Sequence, residues 1–159
     1  AFVALQAQYS LVVRDLEREL VPACVRHGLG ILPWSPLAAG FLSGKYAAEA
    51  APPAGSRLAH WQKAFAGYGK PRNWAILDAL RAVAKAHDTT LTAVALAWLL
   101  HKPGVTSVIF GARNLLQLQD NLRAADLSLR AADLADLDAA SAFDVGYPYE
   151  FIARTHKRW

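Results

Sequence analysis

Apolar positions follow two rhythms along this chain, short continuous runs and stripes at helical spacing, broken by clusters of Pro and Gly. Phe2 to Gln8 is apolar except at its C-terminal end, where Gln6 and Gln8 appear, and predicts a buried strand. Leu16, Leu20 and Cys24, with Val21 and Val25 beside them, recur at helical spacing and stop at Gly28, a natural C-terminal glycine; Pro22 belongs in the first turn of that helix or marks a kink. Gly30 to Pro33 predicts a second short strand, which ends at Trp34-Ser35-Pro36. From Ala47 to Pro71 both rhythms lapse around Pro52-Pro53, Gly55, Gly67 and Gly69, and a segment of that length is expected to be mobile or functional, as a lid would be. Pro71 suits a first helical position, and Leu77, Leu80 and Ala84 give that helix an inward stripe up to about His87. Thr92 is placed to cap the next helix, whose apolar face is Ala95, Trp98 and Leu99, before Pro103-Gly104 breaks it. Thr106 to Phe110 predicts a third strand that turns through Gly111 into a helix. There Leu115, Leu118 and Leu122 form one buried stripe, with Asn114, Gln117 and Asn121 on another side. Ser128 is placed to cap a final helix carrying Leu134 and Leu137, and Tyr147-Pro148-Tyr149 opens a tail without strong periodicity.

The Gly111 junction is where chemistry enters. A residue without Cβ lets backbone approach a ligand, and the helix that follows offers unpaired N–H groups and the positive end of its dipole to a phosphate, with Arg113 adding a fixed charge. The plainer reading is a strand, a turn and a surface helix.

Gly111-Ala112-Arg113 followed by Gln117 and Asp120-Asn121 resembles the adenosine-2′-phosphate segment of the aldo-keto reductase family. Trp34-Ser35-Pro36-Leu37-Ala38-Ala39-Gly40-Phe41-Leu42-Ser43-Gly44-Lys45-Tyr46 is similar to that family's seventh strand and the loop after it. Leu5-Gln6-Ala7-Gln8-Tyr9-Ser10 is similar to its sixth strand, and Ala95-Leu96-Ala97-Trp98-Leu99 to the helix before its last strand. The likeness runs in order from the first residues to about Ala140. It implies an α/β fold, the C-terminal portion of a (β/α)8 TIM barrel with about three parallel strands and their helices, over a single partial domain 1–159 whose variable tail is about 141–159. It implies NADP(H) as cofactor and a small carbonyl substrate. By the same resemblance Gln6 hydrogen-bonds the nicotinamide carboxamide, Trp34 lies flat on the nicotinamide ring, and Ser35, Pro36, Leu37, Ala38 and Ala39 meet the pyrophosphate. Lys45 and Arg57 clasp the pyrophosphate as the loop folds over, while Gly111, Arg113, Gln117, Asp120 and Asn121 hold the adenosine end. Each has a plainer alternative: a polar strand end for Gln6, a core tryptophan for Trp34, solvated charges for Lys45 and Arg57. Asn114 and Asp120 depart from the residues common at their positions, basic or hydroxyl at the first and Glu at the second.

Composition narrows the reading. The chain has 159 residues, 54% hydrophobic and 19% charged, enough for one core. A (β/α)8 barrel needs about 250 residues, so a fragment is expected, and the absence of Met and the apolar opening at Ala1 point the same way. A net charge of +4 with Lys and Arg scattered rather than blocked argues against nucleic acid. One cysteine, Cys24, in a helical stripe reads as a buried small apolar residue and points to a reducing, cytoplasmic setting. No apolar run reaches the roughly 18 residues of a membrane span. His27, His60, His87, His101 and His156 lack metal spacing, and Ser35 lacks the Gly-x-Ser-x-Gly setting of a hydrolase nucleophile. Hydride transfer to a carbonyl needs a proton donor, which the family supplies as Asp, Tyr, Lys and His from earlier strands; no residue here matches that tetrad, and no catalytic residue is assigned. The chain alone is expected to be inactive and to self-associate through open barrel edges. The alternative is a non-catalytic NADP-binding or partner-docking module.

Overall fold

Two parallel strands, β1 (Ala4–Gln8) and β2 (Gly30–Trp34), form the sheet in a computed structural model that describes residues 1–155. The register pairs Ala4 with Gly30, Leu5 with Ile31, Gln6 with Leu32, Ala7 with Pro33 and Gln8 with Trp34. Side chains alternate across a strand, so Leu5, Ala7, Ile31 and Pro33 share one face and Ala4, Gln6, Gln8, Leu32 and Trp34 the other. Helices bury the first face. The second stands partly or fully open. The predicted first strand is therefore covered on one side, and it starts at Ala4, since Phe2 and Val3 project into solvent.

The predicted third strand exists as a bulged follower of β2. Ile31 N–H donates to Gly104 O at 2.7 Å, Thr106 N–H to Ile31 O at 3.0 Å and Ile109 N–H to Pro33 O at 2.8 Å. A regular parallel ladder advances two residues on each strand, which would use Val108; the extra residue bulges outward. Pro33 has no N–H to return the bond, so the regular ladder shrinks to the isolated bridge between Ile31 and Val105.

The crossover from β1 to β2 runs through a single turn of 3-10 helix at Asp15–Glu17 and α1 (Leu20–His27), with Pro22 in the first turn and Gly28 closing the helix at φ 65°. Leu16 and Cys24 of the predicted stripe are buried, whereas Leu20 and Val25 are open to solvent. The stretch expected to be irregular holds α2 (Gln62–Tyr68) before α3 (Pro71–Ala86). Its expected mobility is restrained because Leu58 is fully buried and a cluster of rings, Phe41, Tyr46, Phe65, Tyr68 and Trp74, joins it to the body with centroids 4.9–6.4 Å apart.

α4 (Leu91–Leu100) is buried on every side from Ala93 to Leu99, so its apolar residues form a central rod rather than one face. Its cap is Thr90, which has extended backbone and an Oγ1 that accepts from Ala93 N–H; Thr92 sits inside the first turn. α5 (Leu115–Leu122) reverses its expected orientation: Leu115, Leu118 and Leu122 are 66%, 39% and 53% exposed, and Asn121 is its buried residue. Spacing fixes which residues share a face, but burial needs an opposing surface, and this face meets none among the described residues. α6 (Ala131–Ala140) starts at Arg130, with Asp133 completing the cap, while Ser128 is solvent-exposed. The tail contains a helix, α7 (Tyr149–Thr155), after a cis Tyr147–Pro148 bond. His156 and the last three residues lie outside the described residues.

Arg14 ties these pieces together. Its guanidinium grips the Glu17 carboxylate through Nε and Nη2 at 2.7 and 2.8 Å, donates to Ser141 Oγ at 2.7 Å and lies 5.3 Å from the Trp98 ring centre. Arg18 and Arg72 donate to main-chain carbonyls of Val145, Asp144, Ala142 and Ser141, which fastens the start of the tail to the body.

Candidate functional site

Gln6, Gln8 and Trp34 meet on the open face of the sheet at the C-terminal end of its strands, where the register sets Gln8 directly beside Trp34. Trp34 is 41% exposed, so within this chain the ring presents an accessible aromatic surface at a polar strand end. The sequence marks Gln8 only as a polar strand end. Its pairing with Trp34 depends on register, which one strand's sequence does not contain.

The chain then leaves β2 through an unusual backbone. Ser35, Ala38 and Ala39 are left-handed at φ 54°, 49° and 57°, and Gly40 follows at φ 88°. Three non-glycine residues held there store about 1–3 kcal/mol each, and such strain concentrates at ligand-binding turns. The Ala38 and Gly40 N–H groups are spent inside the turn, on Ser35 O at 3.0 Å and Leu37 O at 2.9 Å, so an anion would meet the other amides. A methyl at Ala39 and no side chain at Gly40, both half-buried, leave that backbone approachable. Lys45 Nζ lies over the turn, 3.3 Å from where a methyl on Gly40 would stand, and Ser43 Oγ donates to Gly40 O at 2.7 Å. Pro36 and Ala38 are buried beneath the turn and Leu37 is half-buried, so these three shape it from below. Gly40 and Ser43 went unassigned in the sequence because positive φ at neighbouring alanines carries no local signature.

The second candidate segment is Gly111–Asn121. Asn114 caps α5 by accepting from Gln117 N–H at 2.9 Å, and the Gln117 side chain reaches back to accept from Arg113 N–H at 2.9 Å. Asn121 Nδ2 approaches Gly111 O at 3.5 Å, and Asp120 Oδ1 accepts from Thr90 Oγ1 at 2.9 Å. Thus Gln117, Asp120 and Asn121 are engaged in shaping the turn and seating the helix. Gly111 has neither a left-handed φ nor crowding at its Cβ position, so its use is an open approach rather than a demanded geometry. The Arg113 side chain is exposed.

Lys45, Arg57 and Arg113 form no ion pair among the described residues, which leaves three uncompensated cations for an anionic ligand. Arg57 rests over the Trp61 ring, 6.0 Å from its centre, and shares no described contact with Lys45. The clasp of Lys45 and Arg57 is therefore not closed in this structure.

Neither buried tyrosine near the strands is placed to deliver a proton to the open face. Tyr9 belongs to the helix-covered face, where it donates to Glu17 at 2.6 Å; burial, reinforced by that carboxylate, pushes its phenol far above the ordinary value. Tyr46 is buried and its hydroxyl accepts from Leu58 N–H at 3.4 Å. A cavity of about 660 Å³ also lies on the helix-covered side, bounded by Val21, Pro22 and Val25 of α1 and by Lys102 and Pro103. Of its charges Glu17 is matched by Arg14 and Lys102 by Asp138, while Arg26 forms no ion pair among the described residues; the strand ends hold the better case for chemistry because an exposed aromatic ring and a strained turn meet there. An open face is what two strands leave when no further strand curls over them. Among the described residues no three His, Cys, Asp or Glu side chains converge as a metal site, and no helix is long and apolar enough to cross a membrane.

Comparison with known proteins supplies the wider context. The model of the aldo/keto reductase family matches residues 1–142. A probable aldo-keto reductase of Glycine max is 33% identical over 157 residues, 98% of this chain and 45% of the relative. An aryl-alcohol dehydrogenase of Pestalotiopsis microspora is 32% identical over 95% of this chain and 37% of its own length. A probable voltage-gated potassium channel subunit beta of Arabidopsis thaliana is 35% identical over 77% and 38%. Among solved structures, a thermostable aldo-keto reductase in complex with the inhibitor epalrestat superposes with a TM-score of 0.61 at 26% identity, covering 85% of this chain and 38% of that one. The chain spans less than half the length of these relatives. With the parallel strands, the strained turn after β2 and the family match across residues 1–142, the chain belongs to the aldo/keto reductase family.

Proposed function

We propose that this chain is the NADP(H)-binding C-terminal part, strands six to eight, of a (β/α)8 reductase that converts aldehydes or ketones to alcohols. The observation that carries the reading is the left-handed run Ser35, Ala38, Ala39 and Gly40 beside the exposed Trp34, with the Lys45 ammonium drawn over it. A dinucleotide asks for an aromatic platform, a backbone cradle for phosphate oxygens and cations to match them, and these residues fit that demand. Trp34 would carry one face of the nicotinamide, with the Gln6 and Gln8 amides beside it; the 35–40 backbone and Lys45 would hold pyrophosphate. The α5 N-terminus with Arg113 would hold the 2′-phosphate. When bound, the cofactor supplies the hydride. This chain's residues orient and hold it, and the proton donor belongs to other strands of a complete barrel.

The 2′-phosphate makes the reading testable. A charge-assisted contact is worth roughly 1.5–3 kcal/mol, so NADPH is expected to bind at least about tenfold tighter than NADH, and Arg113→Ala to abolish that preference. Calorimetric dissociation constants for both cofactors decide it. Equal losses for the two would remove Arg113 from the 2′-phosphate site, and absence of binding by the wild type would contradict the cofactor reading.

A second reading, a cofactor-binding module that docks a partner, is favoured by the uncovered leucines of α5. The two readings part on turnover. A protein extended to family length reduces an aldehyde with NADPH under the first and binds without turnover under the second.

A further inference from the structure

We infer that Thr90 is a positioning residue for the cofactor-binding end of α5, acting through Asp120; the inference rests on the NADP(H) reading above. Ala93 N–H occupies the Thr90 hydroxyl oxygen at 3.1 Å, so the one hydroxyl proton goes to Asp120 Oδ1, 2.9 Å away. A hydroxyl that accepts from a backbone amide is polarised, which strengthens the bond it donates. The anchor is rigid, because α4 is buried on every side from Ala93 to Leu99. What it anchors is not, because α5 leaves Leu115, Leu118 and Leu122 uncovered and contributes little packing of its own. The Asn121 bond to Gly111 and the Gln117 bond to Arg113 close α5 on its own preceding turn. Among the described residues, Thr90 to Asp120 is thus the one side-chain hydrogen bond that joins α5 to another element. It sets how α5 is rotated on the core, and with it the direction in which the Gly111–Asn114 turn and Arg113 face. Asp120 then serves by holding the helix rather than by reading the nucleotide, and the preorganised turn gains affinity because less freedom is lost on binding.

Thr90→Asp tests this, since Asp remains a good helix cap but sets a second carboxylate against Asp120, whereas Thr90→Ser keeps both bonds. Adenosine 2′,5′-bisphosphate is titrated into the chain by calorimetry, and amide hydrogen exchange is followed without ligand. Thr90→Asp is expected to weaken the probe about tenfold and to speed exchange in α5 while α4 stays protected; Thr90→Ser stays within about twofold of wild type on both. Pairing Thr90→Asp with Asp120→Asn should restore α5 protection, because the Asn amide can donate to the new carboxylate. Unchanged α5 exchange in Thr90→Asp, or loosened α5 with undiminished affinity, would overturn the inference. Failure of the wild type to bind the probe would instead defeat the NADP(H) reading and the inference with it.

Discussion

At the scale of single residues, several charged side chains of this molecule are committed to holding it together. Asp133 is the clearest case. The Arg130 guanidinium donates to both carboxylate oxygens, at 2.7 and 2.9 Å, and holds the carboxyl well below the usual range; burial opposes this, and His87 at 2.8 Å adds to it. A depressed folded value contributes stability that is present above the unfolded carboxyl value, near 4, and is lost as pH falls toward the folded one. Asp133→Asn is therefore expected to lower the thermal midpoint by a few degrees between pH 5 and 7, with the gap to wild type narrowing progressively as pH falls below about 4. Melting curves across pH 2–7 check it; a gap as wide at pH 2 as at pH 7 would assign the effect to packing instead. Lys45, Arg57 and Arg113 stand outside such pairs, as do exposed cations such as Arg26 and Lys63, and what sets Lys45 apart is its place over the turn at Gly40.

At the scale of elements, the sequence was legible where a local rule decides and opaque where a partner does. Pro71 at the start of α3, Gly28 at the end of α1 and the stripe Leu77, Leu80 and Ala84 follow from backbone and spacing rules, and each stands where those rules put it. The choice of Thr90 over Thr92 as cap turned on two residues of helix phase, and α4 looked one-sided because apolar count alone does not say how many neighbours a helix has. The third strand follows β2 only irregularly, for a reason legible only in register, the missing N–H of Pro33 opposite a bulge. The same contact yields a prediction. A methyl on Gly30 would stand 2.8 Å from Thr106 Oγ1 and 3.0 Å from its Cγ2, and a β-branched side chain at that close a strand contact has little freedom to turn away. Gly30→Ala is expected to destabilise by about 1–3 kcal/mol, and to be nearly neutral in a Thr106→Ala background. Denaturant midpoints for the four proteins measure the coupling; additive effects would mean that the strands separate to make room.

At the scale of the whole molecule, two strands and a bulged follower leave one sheet face and one face of α5 open. Open strand edges and exposed leucines favour association, so the chain alone is expected to form dimers or larger species in light scattering, and Leu118→Glu with Leu122→Glu to shift it toward monomer. With Tyr9 and Tyr46 buried and engaged, NADPH oxidation with a panel of aldehydes is expected to match the buffer blank; turnover by this chain would require a proton donor not identified among its residues. The candidate site was legible from the sequence as an ordered set of motifs. The sharing of one face by Gln6, Gln8 and Trp34, and the left-handed turn behind them, was not, because both arise from how separate segments pack. The central claim is that the strand ends and the two turns bind NADP(H), and backbone amide shift mapping of the isotope-labelled chain during an NADPH titration tests it most directly. The account predicts saturable shifts at Gln6–Gln8, Trp34–Lys45 and Gly111–Asn121, with α1 and α6 undisturbed; shifts confined to the cavity beside α1, or none at millimolar NADPH, would contradict it.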